Sequence, residues 1–235
     1  MKTLIAILSC SDHILKGYNQ TMRDTWLQDV PCDVDYRFFF GTGLLIAPSM
    51  DQWEQAPIEF KKKIVSCTDI SSYKAKSDEK ALLESDRYEH NTYKFKAMCS
   101  WAVEEGYDFV FQCLTDTYVA VDRLLSSGFQ NYDYSGTSNG ERTALGGGPG
   151  FWMSREVLKA LSNAKVDCWT YDAWAGKVAL QNGFSIHHDA RYTNLEQQPP
   201  PQSNNKAITS HIANTPTVYD PAMMVGLHKL YKGTL

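Results

Sequence analysis

The chain has no CxxC pair, no basic stripe, no internal repeat and no apolar run close to the about 18–20 residues of a membrane-spanning helix. Each absence removes a class of protein. Without CxxC pairs a structural zinc site is not expected. The six cysteines, Cys10, Cys32, Cys67, Cys99, Cys113 and Cys168, are scattered. Cys10, Cys67 and Cys113 lie in or near expected strands, where a free thiol behaves as a small hydrophobe. Reduced thiols and a cytoplasmic setting are the expectation, although the even count leaves disulfides open. The net charge of −4 and pI near 5.9 argue against a nucleic-acid partner held through its phosphates. The N-terminal apolar run, Leu4 to Leu8, is shorter than the about 7–15 residues of a signal-peptide core, and Ser11 and Asp12 follow it. It reads as a first β-strand.

What is present is a chain of 235 residues, 43% hydrophobic, long enough for one large domain with a substantial core. Aromatics are plentiful, with 6 Trp, 13 Tyr and 10 Phe. They serve a core, and their flat apolar faces also suit a sugar ring or a base. Residues 3–9 are an expected strand. Apolar spacing predicts one helix from about His13 to Gln28, then a strand Tyr36–Phe40 stopped by Gly41-Thr-Gly43. A helix over 50–63 and a short strand Ile64–Cys67 come next, then a polar stretch over 68–86. Asn91–Glu105 has helical spacing and ends at Gly106. The strand 108–114 follows. This strand–helix alternation predicts an α/β fold with a mostly parallel sheet flanked by helices.

In the second half Tyr132–Gly136 is short and aromatic. Gly146–Gly150 holds four glycines before Phe151-Trp-Met-Ser154, with Ser154 placed to cap a helix. The glycines match neither phosphate-loop spacing, so a cradle for a ligand and a plain turn into a strand stand level. Tyr171–Leu180 predicts a helix with Asp172 in its first turn, where a carboxylate is favoured by the dipole in any case. Phe184–His187 is a short strand. Residues 194–206, polar and proline-rich, predict a mobile surface loop able to close over a site. Ile208–Ile212 returns to order, and Tyr219–Leu230 predicts a last helix.

One carboxylate organises the search for chemistry. Asp116 falls where the strand 108–114 leaves the sheet, and open α/β sheets bind ligands outside the carboxyl ends of their strands. An Asp at such a point is more often a cap or turn former than a ligand.

Taken in order, several stretches resemble the inverting β-1,3-glycosyltransferases of glycosyltransferase family 31, the galactosyltransferase and Fringe group. Arg23-Asp-Thr25-Trp26 is similar to its R-x-T-W, and Phe38-Phe-Phe-Gly41 to its strand ending in Gly. Tyr88 to Lys94 is similar to Y-x-N-L-T-x-K. Leu114-Thr115-Asp116-Thr-Tyr-Val occupies the place of D-D-D-x-[FY]-V. Gly147-Gly148-Pro-Gly150-Phe-Trp-Met-Ser154 resembles G-[GA]-x-G-Y-x-x-S. Tyr171-Asp172-Ala173-Trp-Ala-Gly176 resembles E-D-V-x-x-G, and Ser210-His211 the late His. The departures are Leu114 and Thr115 in place of the first two acids, Tyr171 in place of the Glu, and no membrane anchor or stem.

The resemblance implies a GT-A fold in one domain, with a nucleotide-sugar half over about 1–120 and an acceptor half over about 121–235. It implies a UDP-sugar donor, a glycan acceptor and a divalent ion, Mn²⁺ or Mg²⁺. Asp116 and His211 would be the metal ligands, with His187 and His188 as competitors to His211. Arg23, Lys94, Thr115, Asp116, Gly148 and Gly150 would face the nucleotide, and Asp172 would be the general base. Trp152 and Trp174 are candidates for a wall that excludes water. An oxygen-plus-imidazole set suits Mn²⁺ better than Mg²⁺. The missing anchor implies a soluble enzyme of a microbe or virus. Two rivals remain. One is a non-catalytic carbohydrate- or nucleotide-binding protein on the same fold. The other is an unrelated α/β phosphoesterase, which would need clustered His and Asp ligands that the sequence does not assemble.

Overall fold

Strand β1 (Thr3–Leu8) runs through the middle of the molecule and is buried along its whole length. The computed structural model describes residues 1–45, 73–138, 143–194, 200–202, 205–212 and 220–234. The expected helix over 50–63 and strand Ile64–Cys67 lie outside them. β1 pairs in parallel with β2 (Val34–Leu45) on one side and β4 (Phe109–Leu114) on the other. β2 pairs in parallel with β3 (Glu79–Glu84). Beyond β4 the sheet turns antiparallel through β7 (Phe151–Ser154) and β6 (Tyr134–Gly136), and β8 (Ile186–His188) closes it in parallel with β6. The order is β3-β2-β1-β4-β7-β6-β8, a mostly parallel seven-stranded α/β sheet. A second sheet has the order β5-β10-β9, from β5 (Thr117–Val119), β9 (Tyr192–Asn194) and β10 (Thr209–His211).

The period of two in β1 explains the layering. Leu4, Ala6 and Leu8 enter one core, and Ile5 and Ile7 the other. The first core lies under α3 (Asn91–Glu104), α5 (Arg155–Asn163) and α6 (Tyr171–Gln181). The second is covered by α2 (Tyr18–Arg23), α4 (Val121–Leu125), α7 (Pro221–Lys232) and the small sheet, while α1 (Ser11–Leu15) follows β1 at its carboxyl end.

Caps read from the sequence hold. Ser154 accepts the Val157 N–H, and Gly106 ends α3 with φ +82°. Three expectations fail for physical reasons. The helix expected over His13–Gln28 breaks into α1, α2 and a 3-10 turn, Trp26–Asp29, because Gly17 takes φ +80° between the first two. Gly41-Thr-Gly43 does not stop β2, which bulges and continues to Leu45. A side chain at Gly41 would meet the Glu84 carbonyl at 2.4 Å, so the glycine allows close strand approach. The polar stretch before Asp86 contains β3, whose charged residues suit a sheet edge. Of the expected loop 194–206, residues 195–199 and 203–204 lie outside the described residues; next to it the Arg123 guanidinium donates to the Gln202 and Ala207 carbonyls and to Asn205.

Asp86 joins the carboxyl ends of the central strands. Its carboxylate accepts the Ser11 N–H at 2.7 Å, the Gly41 N–H at 2.6 Å and the Lys94 ammonium at 3.0 Å. Among the described residues no helix is long and apolar enough to cross a membrane.

Candidate active site

From β1 the chain winds outward through β2 and β3, then restarts on the other side of β1 with β4. The crevice between the carboxyl ends of β1 and β4 is therefore a topological switch point, where such sheets bind ligands. β4 ends at Leu114, and Thr115-Asp116 turns the chain into β5. β10 pairs antiparallel with β5, with His211 opposite Thr117. The Ile212 N–H donates to the Asp116 carbonyl at 2.9 Å, which locks this register. As a result His211 Nε2 lies 3.3 Å from Asp116 Oδ2, and both side chains are nearly buried.

Burial by itself would raise the Asp116 carboxyl, but the His211 charge and hydrogen bond, with His13 adding, hold it below the usual Asp value. Its other oxygen, Oδ1, is buried and has no hydrogen-bond donor among the described residues. An unpaired buried carboxylate oxygen is costly, and a cation there would compensate it. Adjacent ligands on one ion, at bonds of about 2.1–2.3 Å and a right angle, lie about 3.0–3.3 Å apart. The Asp116–His211 separation fits that spacing, as it fits an ion pair. Among the described residues no group of three or more His, Cys, Asp or Glu comes together for a metal. The described residues would supply two ligands here, Asp116 and His211.

The glycine turn links this pair to Asp172. A side chain at Gly148 would meet the His211 ring at 2.4 Å, and Thr117 Oγ1 donates to the Gly148 carbonyl at 2.7 Å. The neighbouring Gly147 N–H points to Asp172 Oδ2 at 3.4 Å. A side chain at Gly147 would meet the Tyr171 hydroxyl at 2.1 Å, and that hydroxyl accepts the Gln112 amide at 3.2 Å. Gly150 takes φ +87° against Phe111 and leads into β7. Asp172 lies in the first turn of α6, and its Oδ1 accepts the Ala173 N–H at 2.8 Å. Burial pushes its carboxyl above the usual Asp value despite those N–H donors.

The other residues singled out in the sequence are held differently. Thr115 is fully buried, and its hydroxyl pairs with His13 Nδ1 at 2.6 Å. Arg23 grips both Asp78 oxygens at 2.7 and 2.9 Å and Glu79 at 2.7 Å, in an ion cluster between α2 and the start of β3. Lys94 is buried and donates to the Ser9 carbonyl at 2.7 Å as well as to Asp86. Its charge bears on His13 beside the site. Burial lowers the His13 imidazole, Asp116 opposes that effect, and Lys94 adds to it. His187 stacks on Tyr132 at 3.6 Å, and His187 and His188 belong to edge strand β8. His211 alone of the three is placed against Asp116. Trp152 and Trp174 form no wall at the site, because both are core residues with no exposed surface. Trp152 stacks on Phe129 at 3.7 Å, and Trp174 Nε1 donates to the Lys165 carbonyl at 3.0 Å.

Sequence reasoning passed over His13 and Tyr171. His13 had a usable signal, since it follows the carboxyl end of β1. Tyr171 had none, since its role depends on Gly147 and Gln112 from distant elements. The framework is thus an α/β protein with an Asp–His pair at its switch point and a second carboxylate across a glycine turn. No protein-family model matches the chain, and no curated protein matches it.

Proposed function

We propose that the chain is a metal-dependent, inverting glycosyltransferase of the GT-A type and of the β-1,3-glycosyltransferase family that its motifs resemble. It moves a hexose or N-acetylhexosamine from a UDP-sugar to a hydroxyl of a glycan acceptor. The observation that carries the reading is the Gly147-Gly148 step. One glycine touches Asp172 and the next abuts His211, so a basic carboxylate and an Asp–His pair share one crevice. Asp116 and His211 would hold Mn²⁺, which would neutralise the charge that develops on the departing diphosphate. With two protein ligands, metal and nucleotide would bind together.

Asp172 accepts the proton of the acceptor hydroxyl. The acceptor oxygen then bonds to the anomeric carbon as the bond from that carbon to the UDP oxygen breaks, with inversion. Its raised pKa makes the ionised carboxylate a stronger base. The test is calorimetric titration of UDP with and without Mn²⁺, on wild type and Asp116→Ala. Metal-dependent binding lost in the variant supports the reading. Equal binding without metal and in the variant refutes it.

A second reading, a non-catalytic carbohydrate- or nucleotide-binding protein on the same framework, is favoured by one observation. No third ligating side chain joins Asp116 and His211 among the described residues. Transfer and hydrolysis assays on a panel of UDP-sugars separate the two. Activity lost in Asp172→Asn supports the enzyme, and an inert wild type supports the binder.

A further inference from the structure

Thr117 opens β5 and is fully buried. It stands opposite His211 in the antiparallel pairing of β5 with β10. Directly opposed residues of such a pair share one face, with Cβ atoms about 4.5–5.5 Å apart, so the two side chains are neighbours. The Thr117 hydroxyl takes part in two hydrogen bonds. It accepts the Leu114 N–H at 3.3 Å and donates to the Gly148 carbonyl at 2.7 Å. Leu114 is the last residue of β4 and lies beyond the end of the β4–β7 pairing at Gln112–Phe151. One hydroxyl thus joins the end of β4, the start of β5 and the glycine turn. The turn in turn touches both halves of the crevice. Gly148 lies so close to the His211 ring that a Cβ there would meet it at 2.4 Å, and the Gly147 N–H points to Asp172 Oδ2 at 3.4 Å.

We propose that Thr117 is the positioning residue of this crevice: its hydroxyl fixes the glycine turn and, through it, the His211 ring and the Gly147 N–H donated to Asp172. Without the hydroxyl the Leu114 N–H and the Gly148 carbonyl each lose a partner at a partly buried place, and the turn must shift until they find another. A shift of Gly148 moves its contact with the His211 ring, and a shift of Gly147 alters its hydrogen bond to Asp172. For its functional consequence this rests on the glycosyltransferase reading above. Thr117 has no exposed surface, so it acts on the metal through His211 and on the acceptor proton through Asp172. Loss of its hydroxyl therefore lowers both metal-dependent UDP affinity and turnover.

The test compares Thr117→Val, which keeps the branched shape without the hydroxyl, Thr117→Ser, which keeps the hydroxyl, and Thr193→Val. The last removes a bond of the same kind in the same small sheet, since the buried Thr193 Oγ1 donates to the Thr209 carbonyl at 2.6 Å. Heteronuclear NMR should show the Gly147 and Gly148 amides and the His211 ring signals displaced in Thr117→Val and close to wild type in Thr117→Ser. Calorimetry should show Mn²⁺-dependent UDP affinity lowered about tenfold in Thr117→Val and unchanged in Thr117→Ser and Thr193→Val. Turn and ring signals unmoved in Thr117→Val overturn the proposal, as does an equal displacement in Thr117→Ser or an equal loss of affinity in Thr193→Val. If Thr117→Val does not fold, the wild type decides. Its bonded Thr117 hydroxyl proton should exchange slowly and show a nuclear Overhauser contact with Gly148, and a hydroxyl proton without that contact overturns the proposal. If wild type binds no UDP with Mn²⁺ while Thr117→Val displaces the turn and ring signals, the positioning role stands and the transferase reading falls.

Discussion

Asp116 in the turn between β4 and β5 and His211 at the end of β10 are held 3.3 Å apart by the pairing of β10 with β5 and by the Ile212 N–H on the Asp116 carbonyl. The pairing should appear in the pH dependence of stability. The folded Asp116 carboxyl lies below its ordinary value of 3.8. Its contribution is therefore complete above that value and is lost as pH falls through the lower folded value. Thermal melts of wild type and Asp116→Asn should differ most above pH 3.8 and converge in stronger acid. A gap that widens on acidification would contradict the sign.

Asp172 has the opposite sign. Its folded carboxyl lies above 3.8, so the stability tied to its neutral form is present below that value and lost as pH rises through the folded one. At neutral pH the buried charge is a cost. Asp172→Asn, which keeps an oxygen for the Ala173 N–H, should leave the melting temperature unchanged or raise stability by roughly 0–1 kcal/mol. The same variant should lose transfer. A destabilised, active variant would remove Asp172 from the base role.

The Arg23 cluster is a stability device. The Glu79 side chain is fully buried. Burial would raise its carboxyl, but the Lys76 N–H, the Tyr73 hydroxyl and Arg23 together hold it low. Arg23→Ala strands that charge and should cost about 3–5 kcal/mol in urea denaturation. Glu79→Gln should cost less. Below the unfolding transition Arg23→Ala should bind UDP and Mn²⁺ as wild type does, since the guanidinium is engaged with Asp78 and Glu79.

Gly148→Ala places a methyl group 2.4 Å from the His211 ring, so the ring must move. The fold should survive, while Mn²⁺-dependent UDP affinity falls about 10–100-fold, the scale of losses when a ligand's support is disturbed. Calorimetry beside a thermal melt checks both halves. Gly43→Ala, at a glycine with φ +74° and open space around it, should show a modest strain cost and unchanged binding.

Much of this protein was local information. The apolar runs Leu4–Leu8 and Phe109–Phe111, the spacing in Asn91–Glu104, the Ser154 cap and the glycine at 106 each depend on neighbours along the chain, so the α/β class and most strands and helices could be read directly. The acidic residues at the ends of elements, Asp116 and Asp172, were visible for the same reason. Tertiary structure decided the rest, because it depends on contacts between distant segments. The pairing of β10 with β5 set His211 against Asp116 and left His187 and His188 on β8. The partners Asp78 and Glu79 drew Arg23 away from the crevice, and the core took Trp152 and Trp174. β3 carries a pattern too polar to declare itself, and only its pairing with β2 makes it a strand. Gly147 and Gly148 were open to two readings until the structure set Tyr171 against one and His211 against the other, since a glycine's neighbours across the fold leave no trace in local sequence.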